Sequence, residues 1–334
     1  MVEIRVVSNL SEATATLISL EKRRLLGNCV CLISLLALVV GLTSRFQINP
    51  LLRHILKFSI LWRSTILSMS ILTFGWLKDG AKQCLKILLF LFCCHQDLTH
   101  KIGLKPTDEA HQVLGQMVNY CKILDSPFLV LETPANYILD KDRISEAKDF
   151  LKSATLNGVR LVWEIRAPLT HQATNLMTDF NIIHCMDIST VKPSDWSDVG
   201  YTRLFGKGKH NVYQFTDEEL REIDERASES KAKVVAMSYH GTRMNTDAVR
   251  FDQYKKTGKF LPVTAYTGLA SARAVLSEDA VFPSTKQSLI SDQGWKVVDI
   301  TTEKRVHLSD LLSKISENTY SSLNEVITAL EAAK

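Results

Sequence analysis

From about residue 94 onward, apolar positions follow two alternating rhythms. Short apolar runs at 127–131, 158–165, 181–185, 202–205 and 233–239 have the length and composition of buried strands. Between them, 145–154, 170–180, 216–230 and 245–254 are predicted helices. In the first of these, Ala147, Phe150, Leu151 and Ala154 share one face. Thr216 followed by Glu219 has the spacing of a capping box and fixes the start of the third helix. Strands alternating with helices predict a parallel sheet.

The tail has a different texture. Residues 282–289 open a helix, 295–300 form a short strand, and 309–315 and 321–333 are helical. In the last of these, Leu323, Val326, Ile327 and Leu330 make one apolar stripe. A small C-terminal α/β or helical extension over 269–334 is expected, more in the manner of a cap on the main body than of a separate interaction module.

The first part lacks either rhythm. Before about residue 93 the chain is rich in Leu, Ile and Cys and poor in acidic residues. Residues 26–42, LGNCVCLISLLALVVGL, follow Lys22-Arg23-Arg24 and imitate a signal peptide or a short membrane span. Their length is at the lower limit for crossing a bilayer, and 84–94 is shorter still. Over the 334 residues, 46% hydrophobic and 23% charged content is ordinary for a globular protein. A net charge of +4 carries no specific nucleic-acid signal. Of the seven cysteines, Cys29, Cys31, Cys84, Cys93 and Cys94 lie in the first part, and only Cys121 and Cys185 follow. Their spacing supports neither a disulfide framework nor a zinc site, so no metal is expected.

The in-frame motifs are Gln96-Asp97-Leu98-Thr99-His100, the strand 129–134 (LVLETP), Val162-Trp163-Glu164-Ile165-Arg166, Tyr201-Thr202-Arg203-Leu204-Phe205-Gly206, the segment from Tyr213 to Leu220, and 234–241 (VVAMSYHG). Together they resemble the YecE-like family, domain of unknown function 72. The chain departs from that pattern at Glu132, where the family has Gln, at Phe205, where it has His, and at Tyr239-His240, where many members have Asn-Asn. The missing N-terminal motifs of the family reappear when codons are regrouped by one frame. Residues 58–69 then permit Phe-Asp-Ile-Met-Glu-Val-Asn-Asn-Thr-Phe-Tyr, and 35–41 and 74–87 permit Gly-Trp and Trp…Pro…Phe words in the family's order. Residues 35–93 are accordingly read as an out-of-frame stretch replacing the first barrel units, 1–34 stay unassigned, and 94–268 are the barrel remainder. The resemblance implies an α/β fold of the TIM-like β/α barrel type and a cytoplasmic protein; a membrane-anchored protein is the alternative if 26–42 is a genuine span. A chain translated literally is expected to lack its first β/α units and to leave sheet edges bare.

In such barrels the working groups sit at the C-terminal ends of the strands. That selects Glu164, Arg166 and His240 as candidate catalytic groups, and Glu132, Asp187, Arg203 and Lys207 as candidate substrate-binding groups. Glu164 and Arg166 are two apart on a strand and share a face. A carboxylate beside a guanidinium there suits a small polar substrate, with Glu164 as acid or base, and equally a structural ion pair. Arg203 with the glycine-flanked Lys207 suits an anion such as phosphate. No His-Glu-x-x-His pattern, nucleophile elbow or dinucleotide fingerprint is present. The residues name no cofactor, and a non-catalytic binding or scaffold protein remains the alternative to an enzyme.

Overall fold

The computed structural model describes residues 69–77, 87–123, 126–194, 196, 198–208 and 211–333. The expectations for 1–34 and 26–42, and most of those for 35–93, lie outside the described residues. Ser68–Lys334 form one compact unit.

Its sheet is built from β1 (Met69–Leu77), β2 (Ile87–Cys93), β3 (Phe128–Thr133), β4 (Arg160–Ile165), β5 (Ile183–Met186), β6 (Val199–Leu204) and β7 (Val234–Tyr239). Strands β2 to β7 are parallel neighbours in chain order. Helices α1 (Asp108–Ile123), α2 (Lys141–Ser153), α3 (His171–Asp179) and α4 (Asp217–Glu229) lie in the connections, and α5 (Met244–Thr257) follows β7. Crossover helices bury parallel strands on both faces, so these strands read as apolar runs rather than alternations. Leu129, Val130 and Leu131 on β3, and Leu161, Val162 and Trp163 on β4, are all buried.

Two pieces of the stretch read as out of frame are strands. Strand β1 pairs antiparallel with both β2 and β7. The expectation of bare edges is therefore corrected at two places, since β7 is covered by β1 and β3 by β2. The physical reason is that a continuous apolar run such as ILLFLFC needs no alternation to sit between two other strands.

The predicted elements from 127 to 254 are present, with ends shifted by a few residues. Helix α1 was not predicted. Its buried Ala110, Leu114, Met117, Val118 and Cys121 nevertheless make a regular helical stripe. Among the described residues no helix is long and apolar enough to cross a membrane.

The tail forms α6 (Leu269–Leu276), β8 (Ser284–Thr285), α7 (Lys286–Gln293), β9 (Val297–Asp299), β10 (Arg305–His307), α8 (Leu308–Leu312), β11 (Thr319–Tyr320) and α9 (Leu323–Ala332). Leu276, Leu289, Val298, Leu308, Leu312, Val326 and Leu330 belong to a separate apolar core. The stripe expected on the last helix faces that core. Buried charges join the tail to the body. Asp217, at the first position of α4, accepts from Arg250 of α5 at 2.5 Å and from Arg305 of β10 at 2.6 Å. Arg250 also pairs with Asp247 at 2.9 Å, and Arg305 with Asp299 at 2.7 Å. All five side chains are 3% exposed or less.

Candidate functional site

The parallel register decides which polar groups meet. Glu132 and Glu164 are direct partners across β3 and β4, and Arg203 and Ser238 across β6 and β7. Side chains alternate along a strand, so Glu132, Glu164 and Arg203 continue the row that holds Val130, Val162 and Tyr201 one step earlier. A charged layer thus sits at the strand ends above an apolar one. His240, the residue after β7, donates its backbone N–H to the carbonyl of Leu204 at 2.9 Å, which fixes it next to the end of β6.

Arg203 is the hub. Its Nη1 donates to Glu132 Oε2 at 2.5 Å and to Glu164 Oε2, and its Nε donates to His240 Nε2 at 3.0 Å. Arg166 completes the set from the solvent side, with Nε 2.9 Å from Glu164 Oε1 and Nη2 2.9 Å from Glu132 Oε1. Two carboxylates and two guanidiniums form a charge-balanced ring. Side-chain exposure is graded across it: Arg203 6%, Glu164 9%, Glu132 22% and Arg166 42%. Arg166 therefore presents the open edge. The Phe205 ring lies 5.2 Å from the His240 ring and 5.3 Å from the Arg203 guanidinium.

The electrostatics follow from burial and these partners. Burial pushes His240 down, Arg203 and then Arg166 push it further, and its pKa falls to about 3. It is an uncharged ring at neutral pH. Both ring nitrogens face Arg203, Nε2 at 3.0 Å from Nε and Nδ1 at 3.5 Å from Nη2. Burial opposes the charge on Arg203, but Glu164, the nearby Cys93 and Glu132 together raise its pKa above the ordinary guanidine value. Burial also raises the Cys185 thiol and the Tyr201 phenol well above their usual values, so neither adds charge beneath the ring.

Five of the seven predicted site residues come together: Glu132, Glu164, Arg166, Arg203 and His240. Two do not join them through any contact. Asp187 accepts from the backbone N–H of Ser189 at 2.9 Å and of Phe205 at 3.1 Å, so its carboxylate braces a connection. Lys207 pairs with Glu219 at 3.1 Å on the surface of the next connection. His240, uncharged near neutrality, meets the others through its ring contact with Arg203. Ser238 was not predicted. Its Oγ lies 3.0 Å from His240 Nε2, and its place two residues before His240 was the available signal. Among the described residues no group of three or more His, Cys, Asp or Glu side chains is placed to hold a metal ion. Grooves of about 520 Å³ beside α9 and about 380 Å³ between residues 100–105 and α2 lie away from Arg203.

Two solved structures are similar to this one, and both are DUF72 family proteins, the family whose motifs the sequence resembles. One, from Thermotoga maritima, has a TM-score of 0.42 and 14% identity, over 51% of this chain and 74% of that one. The other, from Enterococcus faecalis, has a TM-score of 0.35 and 10% identity, over 52% of this chain and 76% of that one. No family model and no curated protein matches the chain.

Proposed function

We propose that this chain is a TIM-like barrel protein of the DUF72 type, cytoplasmic, that binds a small polar molecule carrying a carboxylate or phosphate group at the C-terminal ends of β3, β4, β6 and β7. The observation that carries this reading is the ring of Arg203, Arg166, Glu132 and Glu164. Its Arg166 edge is the most open to solvent, with Glu132 half-buried beside it. In this reading Arg166 meets the anionic group of the ligand, and Glu132 accepts from its hydroxyl or amino groups. Arg203 and Glu164 hold the others in place. Donors fixed in a buried, balanced setting suit the stabilisation of charge that develops on a substrate oxygen, which is the enzymatic form of the proposal. The observation that every charge in the ring already has a partner favours the second reading, a binding protein without catalysis.

Thermal stabilisation by a panel of phosphorylated and carboxylated metabolites tests both forms. At least one compound should raise the melting temperature of the wild-type chain, and Arg166→Ala and Glu164→Gln should each abolish the rise. Binding that survives both substitutions would place the ligand elsewhere. Turnover of the compound found separates the enzymatic form from the second reading.

For the N-terminal part the proposal is that 35–93 is an out-of-frame stretch of a family member's gene, not a membrane anchor. The nucleotide sequence decides it: the Gly-Trp and Thr-Phe-Tyr words must be spelled one base out of phase.

A further inference from the structure

The β9–β10 hairpin of the tail grips the connection between β6 and α4 and the first residue of α4. The His307 Nε2–H donates to the Gln214 carbonyl at 2.9 Å, and the His307 ring lies 5.1 Å from the Tyr213 ring. Val297, the cross-strand partner of His307, donates its N–H to Gln214 Oε1 at 2.9 Å. Arg305 reaches Asp217 at 2.6 Å.

Tyr213 is in turn wedged against the backbone on both sides of the candidate site. Gly206 has φ +77, and a Cβ there would fall 2.3 Å from the Tyr213 ring. A Cβ on Gly241 would fall 2.6 Å from the Tyr213 carbonyl oxygen. Gly206 follows Phe205, and Gly241 follows His240. The residues that carry the two adjoining, tilted rings of the site are thus each one peptide away from a contact with Tyr213. The Tyr213 hydroxyl donates to Glu219, which also caps α4 through the Thr216 N–H at 3.0 Å.

We propose that the tail is a positioning element for the site: His307 and Val297 fix Tyr213 and Gln214, and Tyr213 fixes the placement of Phe205 and His240 beside Arg203. His307 and Tyr213 are positioning residues, acting through the backbone at 206 and 241. The inference rests on the reading of Phe205 and His240 as site residues, but its test uses no ligand. It therefore stands or fails separately from ligand binding.

The experiment is nuclear magnetic resonance of the full isotope-labelled chain, comparing wild type with His307→Ala. The Phe205 amide, which donates to Asp187, should exchange with solvent roughly tenfold faster. The His240 ring signals should shift as the Phe205 ring moves off them. The amides of Val130 and Val162, on the far strands, should keep their rates, which separates positioning from general loss of stability. Should the alanine variant not fold, His307→Gln, a milder change at a partly exposed position, serves for the same comparison. A folded variant with wild-type exchange at Phe205 and wild-type His240 signals overturns the proposal. So does a variant in which the Val130 and Val162 amides accelerate as much as Phe205.

Discussion

At the scale of single residues, Arg203 decides the character of the strand ends. Its fork satisfies Glu132, Glu164 and His240 at once, a geometry that a lysine ammonium does not reproduce. Removing it leaves two carboxylates at the strand ends without their buried partner. Arg203→Ala is expected to destabilise the fold by about 3–5 kcal/mol, and Arg203→Lys to recover only part of that, read from urea unfolding midpoints. The sequence made half of this visible. The period of two put Glu164 and Arg166 on one face, and they do pair. That Glu132 lies level with Glu164, and that both reach Arg203 from another strand, depends on strand register, which local spacing does not encode.

At the scale of elements, the connection from β6 to α4 carries the clearest local requirements. Thr216 and Glu219 form a complete capping box, as their spacing predicted. Thr216→Ala should lower stability by about 1 kcal/mol, measured as a shift in unfolding midpoint without change of slope. Gly206 is a different case. Its left-handed conformation and its contact with the Tyr213 ring leave no room for a side chain. Gly206→Ala should cost about 1–3 kcal/mol from backbone strain, with further loss as the Tyr213 ring is displaced. Circular dichroism melts are the check. The capping box was legible because both of its halves are local; the place of Gly206 was not, because the ring that excludes a Cβ arrives from seven residues further on. Helix α1 was legible in its stripe and was simply not predicted.

At the scale of the whole molecule, two buried groups oppose each other in pH. Burial, with Arg203 and Arg166, lowers His240 from 6.5 to about 3. The unfolded chain protonates first, so the stability tied to His240 is present above pH 6.5 and is lost as pH falls towards 3. Burial raises Asp247 from 3.8 to about 7, against the opposing pull of Arg250 and the Phe215 N–H. The folded chain protonates first here, so the stability tied to Asp247 is full below pH 3.8 and is lost as pH rises through 7. The two slopes cancel in part between pH 3.8 and 6.5. Urea midpoints should vary little for the wild type over this window. His240→Gln should unmask stability that falls as pH rises, and Asp247→Asn should unmask the opposite slope. Parallel curves for all three chains would refute the assignment.

The sequence by itself determined the local order of the second half: strands from apolar runs, helices from amphipathic spacing, the capped start of α4 and the apolar stripe of α9. These depend on neighbours a few residues apart, and hydrophobic period and capping chemistry act at that range. It also nominated the charged residues at the strand ends. Only the tertiary structure decided which of them meet, because register sets Glu132 level with Glu164 and brings Arg203 between them. It alone also set the uncharged state of His240, which comes from burial and two guanidiniums, and the grip of the tail on Tyr213 and Gln214. Contacts between residues more than eighty positions apart follow from packing, not from any local pattern.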